Sequence, residues 1–155
     1  MNRPRIYLAH SASSYGTAHE ATCLARVVEL LPGCQIVDPS GRYTTDAGWL
    51  SAWPRLVQSL DGLVLFTAED GTIGAGCWRE VGDALARSIG LALLDGTQLH
   101  ELGALVLVER LWRTPGRVAE AVPGRAFEPG EFASLVGSLH RRRVARSAST
   151  AWKGA

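Results

Sequence analysis

The sequence predicts an α/β fold: a single-domain, Rossmann-like (flavodoxin-like) sandwich with a central, mostly parallel sheet of five strands. Two observations lead to this prediction. Segments with helical periodicity alternate with short apolar runs along the chain, which is the pattern of strand–helix–strand units. The apolar runs are continuous rather than alternating with polar residues, as in strands that helices bury on both faces of a sheet.

The size and composition of the chain indicate one folded domain. With 155 residues, 46% of them hydrophobic, the chain has enough apolar surface for a full core. We expect this domain to span residues 1–146 and the polar residues 147–155 to form a disordered tail. The net charge of +1 favours no polyanionic partner, and the spacing of the three cysteines matches no disulfide framework or zinc site. Without a signal peptide or a run of ~20 apolar residues, a soluble, cytoplasmic protein is expected.

The first third of the chain contains two predicted strands and one helix. Residues 5–10 are an apolar run typical of a buried strand, and a small, hydroxyl-rich loop follows at 11–17. Apolar residues recur at helical spacing over 18–31, before a Pro-Gly pair that ends a helix. Residues 35–37 form a brief second strand.

The middle of the chain continues the alternation. A helix is predicted from an N-cap at Asp46 to residue 60, either starting late or kinked at Pro54. A third strand follows at 63–67, and a glycine-rich turn leads into a helix over 77–89.

The last third is less regular. Residues 91–94 and 102–108 are predicted as the fourth and fifth strands. Residues 113–130, rich in Pro, Gly and Arg, are predicted as a long loop, and residues 132–144 as a final helix. The arginines at the end of this helix suit the helix dipole, so we do not expect a nucleic-acid partner.

Three loops are predicted to meet at one edge of the sheet. In open parallel sheets the ligand lies beyond the carboxyl ends of the strands. The loops at 11–16, 38–45 and 68–76 follow the first three strands and would converge there.

The clearest candidate for chemistry is Glu80. The third strand runs into a turn containing Gly71, Gly74 and Gly76, and we expect a helix to open near Cys77 and carry Glu80 in its first turn. The free N–H groups and the dipole of a helix N-terminus favour anions, so this corner predicts a phosphate or sugar contact. Cys77 at this position is interpreted mainly as packing.

Four segments of the chain carry a family resemblance. They are IYLA near the N-terminus, DGLVLF in the third strand, GCWREVGDALARSIG after the glycine turn, and LALLDG in the fourth strand. Together these segments, within about the first 95 residues, resemble the nucleoside 2-deoxyribosyltransferase superfamily, which includes the nucleoside-monophosphate N-glycosidases. The resemblance implies cleavage or transfer at the N-glycosidic bond of a nucleoside or nucleoside 5′-monophosphate.

The resemblance also implies the roles of individual residues. Glu80 would be the nucleophile or the stabiliser of the sugar cation, and Asp70 is the candidate second carboxylate. Neither a metal nor a redox cofactor is implied, and a homodimer or larger homo-oligomer is expected. The implied substrate-binding residues are Tyr7, His10, Ser11, Ser13, Ser14, Gly16, Gly74, Gly76 and Cys77.

The sequence departs from the family pattern at three positions and leaves two alternatives open. Gly74, Cys77 and Trp53 stand where the family often has Asp, Thr and Asp. Without the first of these carboxylates, a non-catalytic nucleotide-binding or sensing domain is one alternative. The spacing of Gly74, Gly76 and Glu80 is also similar to the motif of LOG-type nucleotide phosphoribohydrolases, which likewise cleave N-glycosidic bonds.

Overall fold

The computed structural model of the chain describes residues 2–42, 46–110 and 116–154. In these residues seven strands form one sheet, and four helices flank it. The elements are β1 (Arg5–Ala9), α1 (Ala18–Leu30), β2 (Gln35–Val37), α2 (Asp46–Gln58), β3 (Gly62–Leu65), β4 (Thr72–Ile73), α3 (Ala75–Ala86), β5 (Gly90–Asp95), β6 (Gln98–Arg110), β7 (Gly116–Ala126) and α4 (Glu131–Lys153).

The sheet has the order β2-β1-β3-β5-β6-β7-β4. The first four of these strands pair in parallel, whereas β6, β7 and β4 continue the sheet with antiparallel pairs. The predicted α/β class with a mostly parallel core is therefore confirmed, but the prediction of five strands is wrong. The order reverses between β1 and β3, and such a switch point is where open α/β sheets form a ligand crevice.

The two additional strands are β7, which pairs with β6 as a hairpin, and the short β4, which pairs with β7. The predicted fifth strand lies within the longer β6, and most of the predicted loop at 113–130 is β7. Leu102 pairs with Pro123 between two register shifts, where an irregular ladder tolerates a proline. Residues 43–45 and 113–115, which belong to two predicted loops, lie outside the described residues, as do residues 111–112.

The helices divide between the two faces of the sheet. Tyr7 and Ala9 of β1 belong to a buried cluster with residues of α2 and α3. Ile6 and Leu8 belong to a second buried cluster with residues of α1 and α4. Because successive side chains of a strand point to opposite faces, β1 separates these two cores.

Helix α4 continues further than predicted. Residues 147–153 are helical rather than a disordered tail, and the helix ends at Gly154. This stretch contains no interior glycine or proline, and its alanines favour the helix. In the described parts of the chain, no helix is both long and apolar enough to cross a bilayer.

Helix α4 packs closely on two glycines that are neighbours in the sheet, Gly62 of β3 and Gly90 of β5. A Cβ atom at Gly90 would lie 3.2 Å from Cγ2 of Val136 and 3.3 Å from Cε2 of Phe132. At these distances a methyl group forces the core to shift. The glycines therefore allow the helix to approach the sheet.

We expect Gly90→Ala to destabilise the protein by about 1–3 kcal/mol because it overpacks this contact. The matched control is Gly82→Ala on the exposed side of α3, where a Cβ atom meets nothing within 4 Å. There alanine should stabilise by about 1 kcal/mol through its helix propensity. Urea unfolding of both variants measures the difference, and equal effects would contradict the close approach of α4.

The N-terminal edge of β3 is anchored to α4 through Asp61. This carboxylate is 1% exposed and accepts hydrogen bonds from His140 Nδ1 (2.9 Å), Arg143 Nε (2.8 Å) and the backbone N–H of Arg5 (2.9 Å). Burial alone would raise the pKa of Asp61, but the hydrogen bonds, that from Arg143 first, hold it below its ordinary value. Asp61 therefore has a structural role at the edge opposite the predicted site.

Candidate active site

Glu80 lies one turn further into its helix than predicted. Helix α3 begins at Ala75 with Gly74 as its N-cap, so Glu80 is in the second turn rather than the first. The residue is only 5% exposed and belongs to the side of α3 that faces the sheet. A carboxylate in this position gains little from the helix dipole, which acts mainly within the first turn. Attraction to the helix dipole therefore does not explain why a glutamate stands at this position.

Tyr7 and Trp49 hold the Glu80 carboxylate in a short hydrogen-bonded chain. The Tyr7 hydroxyl donates to Glu80 Oε1 at 2.6 Å, and the Trp49 indole N–H donates to the Tyr7 hydroxyl at 3.1 Å. Tyr7 is fully buried in the middle of β1, so both members of the shortest contact are inside the protein. Three separate elements, β1, α2 and α3, therefore fix one carboxylate.

The surroundings of Glu80 disfavour its charged form. Burial raises the pKa of Glu80 to about 8, although hydrogen bonds from Tyr7 and Trp49 act in the opposite direction. Burial and the neighbouring Glu80 also raise the pKa of Tyr7 far above its ordinary value, so this phenol remains a donor. A buried carboxyl group with a pKa near neutrality is typical of acid–base and nucleophilic sites.

Tyr7→Phe should raise the pKa of Glu80 further, because it removes a hydrogen bond that favours the carboxylate. We also expect a loss of about 1–3 kcal/mol in stability, since a buried acceptor loses its donor. The 13C shift of the Glu80 carboxyl carbon, followed over pH, measures the first effect. Tyr15→Phe is the control, because the hydrogen bonds that lower the pKa of Glu80 come from Tyr7 and Trp49.

An aromatic wall lies beside this chain of hydrogen bonds. The rings of Trp49 and Trp53 stack with centroids 5.7 Å apart, and Trp53 contacts Tyr7 edge-on at 4.9 Å. Trp53 is buried and donates its indole N–H to Asp83 Oδ2 at 2.7 Å. The half-buried Trp49 also lies 5.9 Å from the guanidinium carbon of Arg79. Trp49 thus combines an exposed surface with a polar contact to the carboxylate site.

The loop after β1 and the start of α3 are joined directly. The backbone N–H of Gly74 donates to the Ser11 hydroxyl at 2.9 Å, so this N–H is occupied rather than free for an anion. Cys77 is buried, and burial, together with nearby Glu80, raises the pKa of its thiol to about 12. The thiol therefore stays protonated at neutral pH. Gly76 is exposed in the first turn of α3, where N–H groups lack intrahelical acceptors.

The remaining hydroxyl and glycine predictions fall on the same loop. Ser13 is exposed, whereas Ser14 is buried and its carbonyl accepts from the Thr17 hydroxyl at 2.6 Å. Gly16 has a φ of +74°, which favours glycine, and its N–H donates to Glu20 Oε1 at 3.3 Å. These contacts order the loop itself.

Asp70, the predicted second carboxylate, lies on the exposed turn before β4. Its Oδ1 accepts from the Thr72 hydroxyl at 2.6 Å and from the Thr72 backbone N–H at 3.1 Å. This is the geometry of an Asx turn, in which a carboxylate shapes the local backbone. One oxygen of Asp70 is therefore engaged in positioning the short strand β4.

His10 does not join the Glu80 group but forms a second cluster. Its Nε2 lies 2.8 Å from Glu20 Oε2 and 3.8 Å from Asp38 Oδ1, and its ring stacks on Phe66 with centroids 4.5 Å apart. His10 is only 3% exposed. The residues come from the end of β1, the first turn of α1 and the turn after β2, so this cluster also lies at the predicted loop convergence.

Sequence reasoning missed three residues of these two groups: Tyr15, Glu20 and Asp38. Burial and the negative charge of Glu80 raise the pKa of Tyr15, and Asp38 and Glu20 contribute in the same direction. Tyr15 is thus close to both groups. One signal was present, since Thr17 and Glu20 have the spacing of a capping box, and the Thr17 hydroxyl accepts from the Glu20 N–H at 3.1 Å.

Comparisons with known proteins do not identify a function for this site. No protein-family model matches the chain, and no curated protein matches it. Among solved structures, the chain is similar to a conserved protein from Enterococcus faecalis V583, with a TM-score of 0.47 and 20% sequence identity. The similarity covers 59% of this chain and 63% of that chain, so less than two thirds of that protein's length is matched. Function has to be inferred from the residues described above.

Proposed function

We propose that the protein cleaves or transfers at the N-glycosidic bond of a nucleoside or nucleoside 5′-monophosphate, with Glu80 as the nucleophile or the stabiliser of the sugar cation. The observation that carries this proposal is the Glu80 carboxyl group, which is buried near the switch point of the sheet and held by Tyr7 at 2.6 Å. The family resemblance of the sequence around Glu80 supports the same reaction class.

The chemistry requires a carboxylate in such a place. When the bond between the anomeric carbon and the base nitrogen breaks, its electron pair leaves with the base and positive charge develops on the sugar. The Glu80 carboxylate either bonds to the anomeric carbon or stabilises that charge, before water or a second base takes the sugar. The departing base takes up a proton from an acid or from solvent.

Burial of Glu80 serves this reaction. Removing a charged carboxylate from water costs free energy, and the pKa of Glu80, raised to about 8 by burial, reflects this cost. A cationic sugar would be an opposite charge beside this carboxylate, so their interaction strengthens as charge develops in the transition state. Tyr7 and Trp49 limit the orientations of the carboxyl group, which lowers the cost of reaching the reactive geometry.

The surroundings of Glu80 suit the two other parts of a nucleotide. Trp49 offers a half-buried aromatic face on which a base can stack. The hydroxyl-rich loop after β1 and the first turn of α3 meet through the hydrogen bond between Ser11 and Gly74, and they offer donors for a 5′-hydroxyl or 5′-phosphate.

A second candidate is a nucleotide-binding or sensing domain that does not turn its ligand over. The observation in its favour is again the pKa of Glu80, since a carboxyl group with a pKa of about 8 is mostly protonated at neutral pH. A protonated carboxyl group donates a hydrogen bond to a ligand but is a poor nucleophile.

A panel of nucleosides and 5′-monophosphates tests both candidates. Wild-type protein is incubated with each compound at several pH values between 6 and 9, and free base is measured by chromatography. Release of base by wild type and not by Glu80→Gln supports the glycosidase. The sugar product then shows whether the enzyme acts on ribose or deoxyribose and whether it requires a 5′-phosphate. Glu69→Gln, a change of an exposed glutamate in the preceding loop, is the control. Binding without release supports the sensing domain.

A further inference from the structure

We propose that His10, Glu20 and Asp38 form a binding site for one divalent transition-metal ion, of the kind that accepts mixed nitrogen and oxygen ligands, such as Zn²⁺ or Mn²⁺. One ligand atom from each residue lies within 4.8 Å of the others. This cluster is separate from the contacts that hold Glu80, so the proposal does not depend on the proposed function.

The orientation of the His10 ring is the first argument. Its Nδ1 lies 3.0 Å from the carbonyl oxygen of Leu8, which can only accept, so Nδ1 carries the proton. In neutral imidazole Nε2 is then a bare acceptor, and it is aimed at the carboxylates of Glu20 and Asp38. A histidine whose far nitrogen donates to a backbone carbonyl is the usual arrangement of a metal ligand.

The second argument is that these acceptors are buried together. His10 is 3% exposed and Glu20 is 9% exposed, and the 2.8 Å between His10 Nε2 and Glu20 Oε2 needs a positive species between or on them. Either a proton lies in this contact, or the two groups share a metal ion. Stacking on Phe66 and the edge of Tyr15 fix the ring, so it cannot turn away.

The distances fit a shared ion. Ligand atoms at about 2.0–2.2 Å from one zinc ion lie roughly 3–4 Å from each other. The distance from His10 Nε2 to Asp38 Oδ1, 3.8 Å, lies within that range, and the distance to Glu20 Oε2, 2.8 Å, lies just below it. Three protein ligands leave a coordination position open, and the Asp38 side chain, 24% exposed, marks the side of the cluster nearest to solvent.

The other carboxylate contacts hold the ligands in place. Glu20 Oε1 is near the Ser40 hydroxyl and the Gly16 N–H, both at 3.3 Å, which leaves Oε2 for the ion. Asp38 Oδ1 accepts from the Ser40 backbone N–H at 3.0 Å. Such outer contacts orient carboxylate ligands in metal sites.

The experiment is a titration of the metal-free protein with Zn²⁺, followed by calorimetry, and with Mn²⁺, followed by electron paramagnetic resonance. We expect one equivalent of metal to bind and to raise Tm, because a ligand of the native state stabilises it. Loss of a group that only orients a metal ligand typically weakens metal affinity by roughly 10- to 100-fold. Asp38→Asn changes a ligand itself, the most exposed of the three, so we expect it to weaken binding by at least as much. Glu20→Gln should have a similar or larger effect.

His19→Gln is the matched control, because His19 is in the same helix and its Nε2 lies 3.8 Å from the Cys23 thiol, which is a competing soft site for Zn²⁺. Its affinity for the proposed ion should equal that of wild type. Binding that His19→Gln abolishes and Asp38→Asn leaves unchanged would overturn the proposal. The failure of wild type to bind either metal would also overturn it and would leave a proton shared between His10 and Glu20. Circular dichroism of each metal-free variant confirms that it is folded.

Discussion

Glu80→Gln is expected to lower the rate of base release by about 10²–10³-fold if Glu80 stabilises the sugar cation, and by more if it forms a covalent intermediate. Glutamine keeps the size of the side chain and accepts the hydrogen bond from Tyr7 but carries no negative charge. Steady-state kinetics on the substrate that the panel identifies measures the effect. Activity within twofold of wild type would contradict the role assigned to Glu80.

The pH dependence shows which form of Glu80 acts. If the carboxylate is required, kcat/KM should rise with pH and level off above about 8, the pKa of Glu80 in the free protein. If the protonated group acts as the acid, kcat/KM should instead fall above that pH. Only the first profile agrees with a nucleophile or cation stabiliser, and Glu80→Gln should remove the ionisation from the profile.

The same substitution should increase stability in a defined pH range. Because the pKa of Glu80 rises from 4.5 to about 8 on folding, the folded protein binds more protons between these values. The contribution of protonated Glu80 to the free energy of unfolding is fully present below pH 4.5 and is lost as pH rises through about 8. Glu80→Gln should therefore gain a few kcal/mol over wild type between pH 5 and about 8. Urea unfolding at the two pH values measures this gain.

The parts of the fold that the sequence predicted are those with a local signal. The continuous apolar run of β3, the glycine turn and the periodicity of α3 give a parallel α/β unit without knowledge of any partner. The rule that ligands lie beyond the carboxyl ends of strands then directs attention to Glu80 and to the loop after β1. Tyr7 could be suspected only from the resemblance, because a tyrosine within an apolar strand has no local feature that distinguishes it from core.

The parts that the sequence did not predict depend on distant partners. Strand β7 contains glycines, a proline and charged residues, and its pairing with β6 outweighs this weak propensity. No local pattern links Trp49 to Tyr7, because the two residues that share a hydrogen bond lie 42 positions apart in the sequence. The cluster of His10, Glu20 and Asp38 likewise joins three segments that no motif links.

Asp61→Asn should destabilise the protein by about 3–5 kcal/mol, the cost of removing one partner from a buried ion pair. The carboxylate is 1% exposed and accepts from His140, Arg143 and the Arg5 N–H, and asparagine cannot satisfy all three donors. Urea unfolding measures the change. Glu29→Gln, which breaks the exposed pair with Arg26, should cost no more than about 1 kcal/mol.

The dependence of this effect on pH has a fixed sign. Because the pKa of Asp61 is lowered by folding, its stabilisation is present above the ordinary carboxyl pKa and is lost as pH falls through the lowered value. The difference between wild type and Asp61→Asn should therefore shrink in acid. Asp61 lies before β3, at the edge of the sheet away from Glu80, so the fraction of Asp61→Asn that stays folded should keep the activity of wild type. A selective loss of activity without a loss of stability would instead place Asp61 in the reaction.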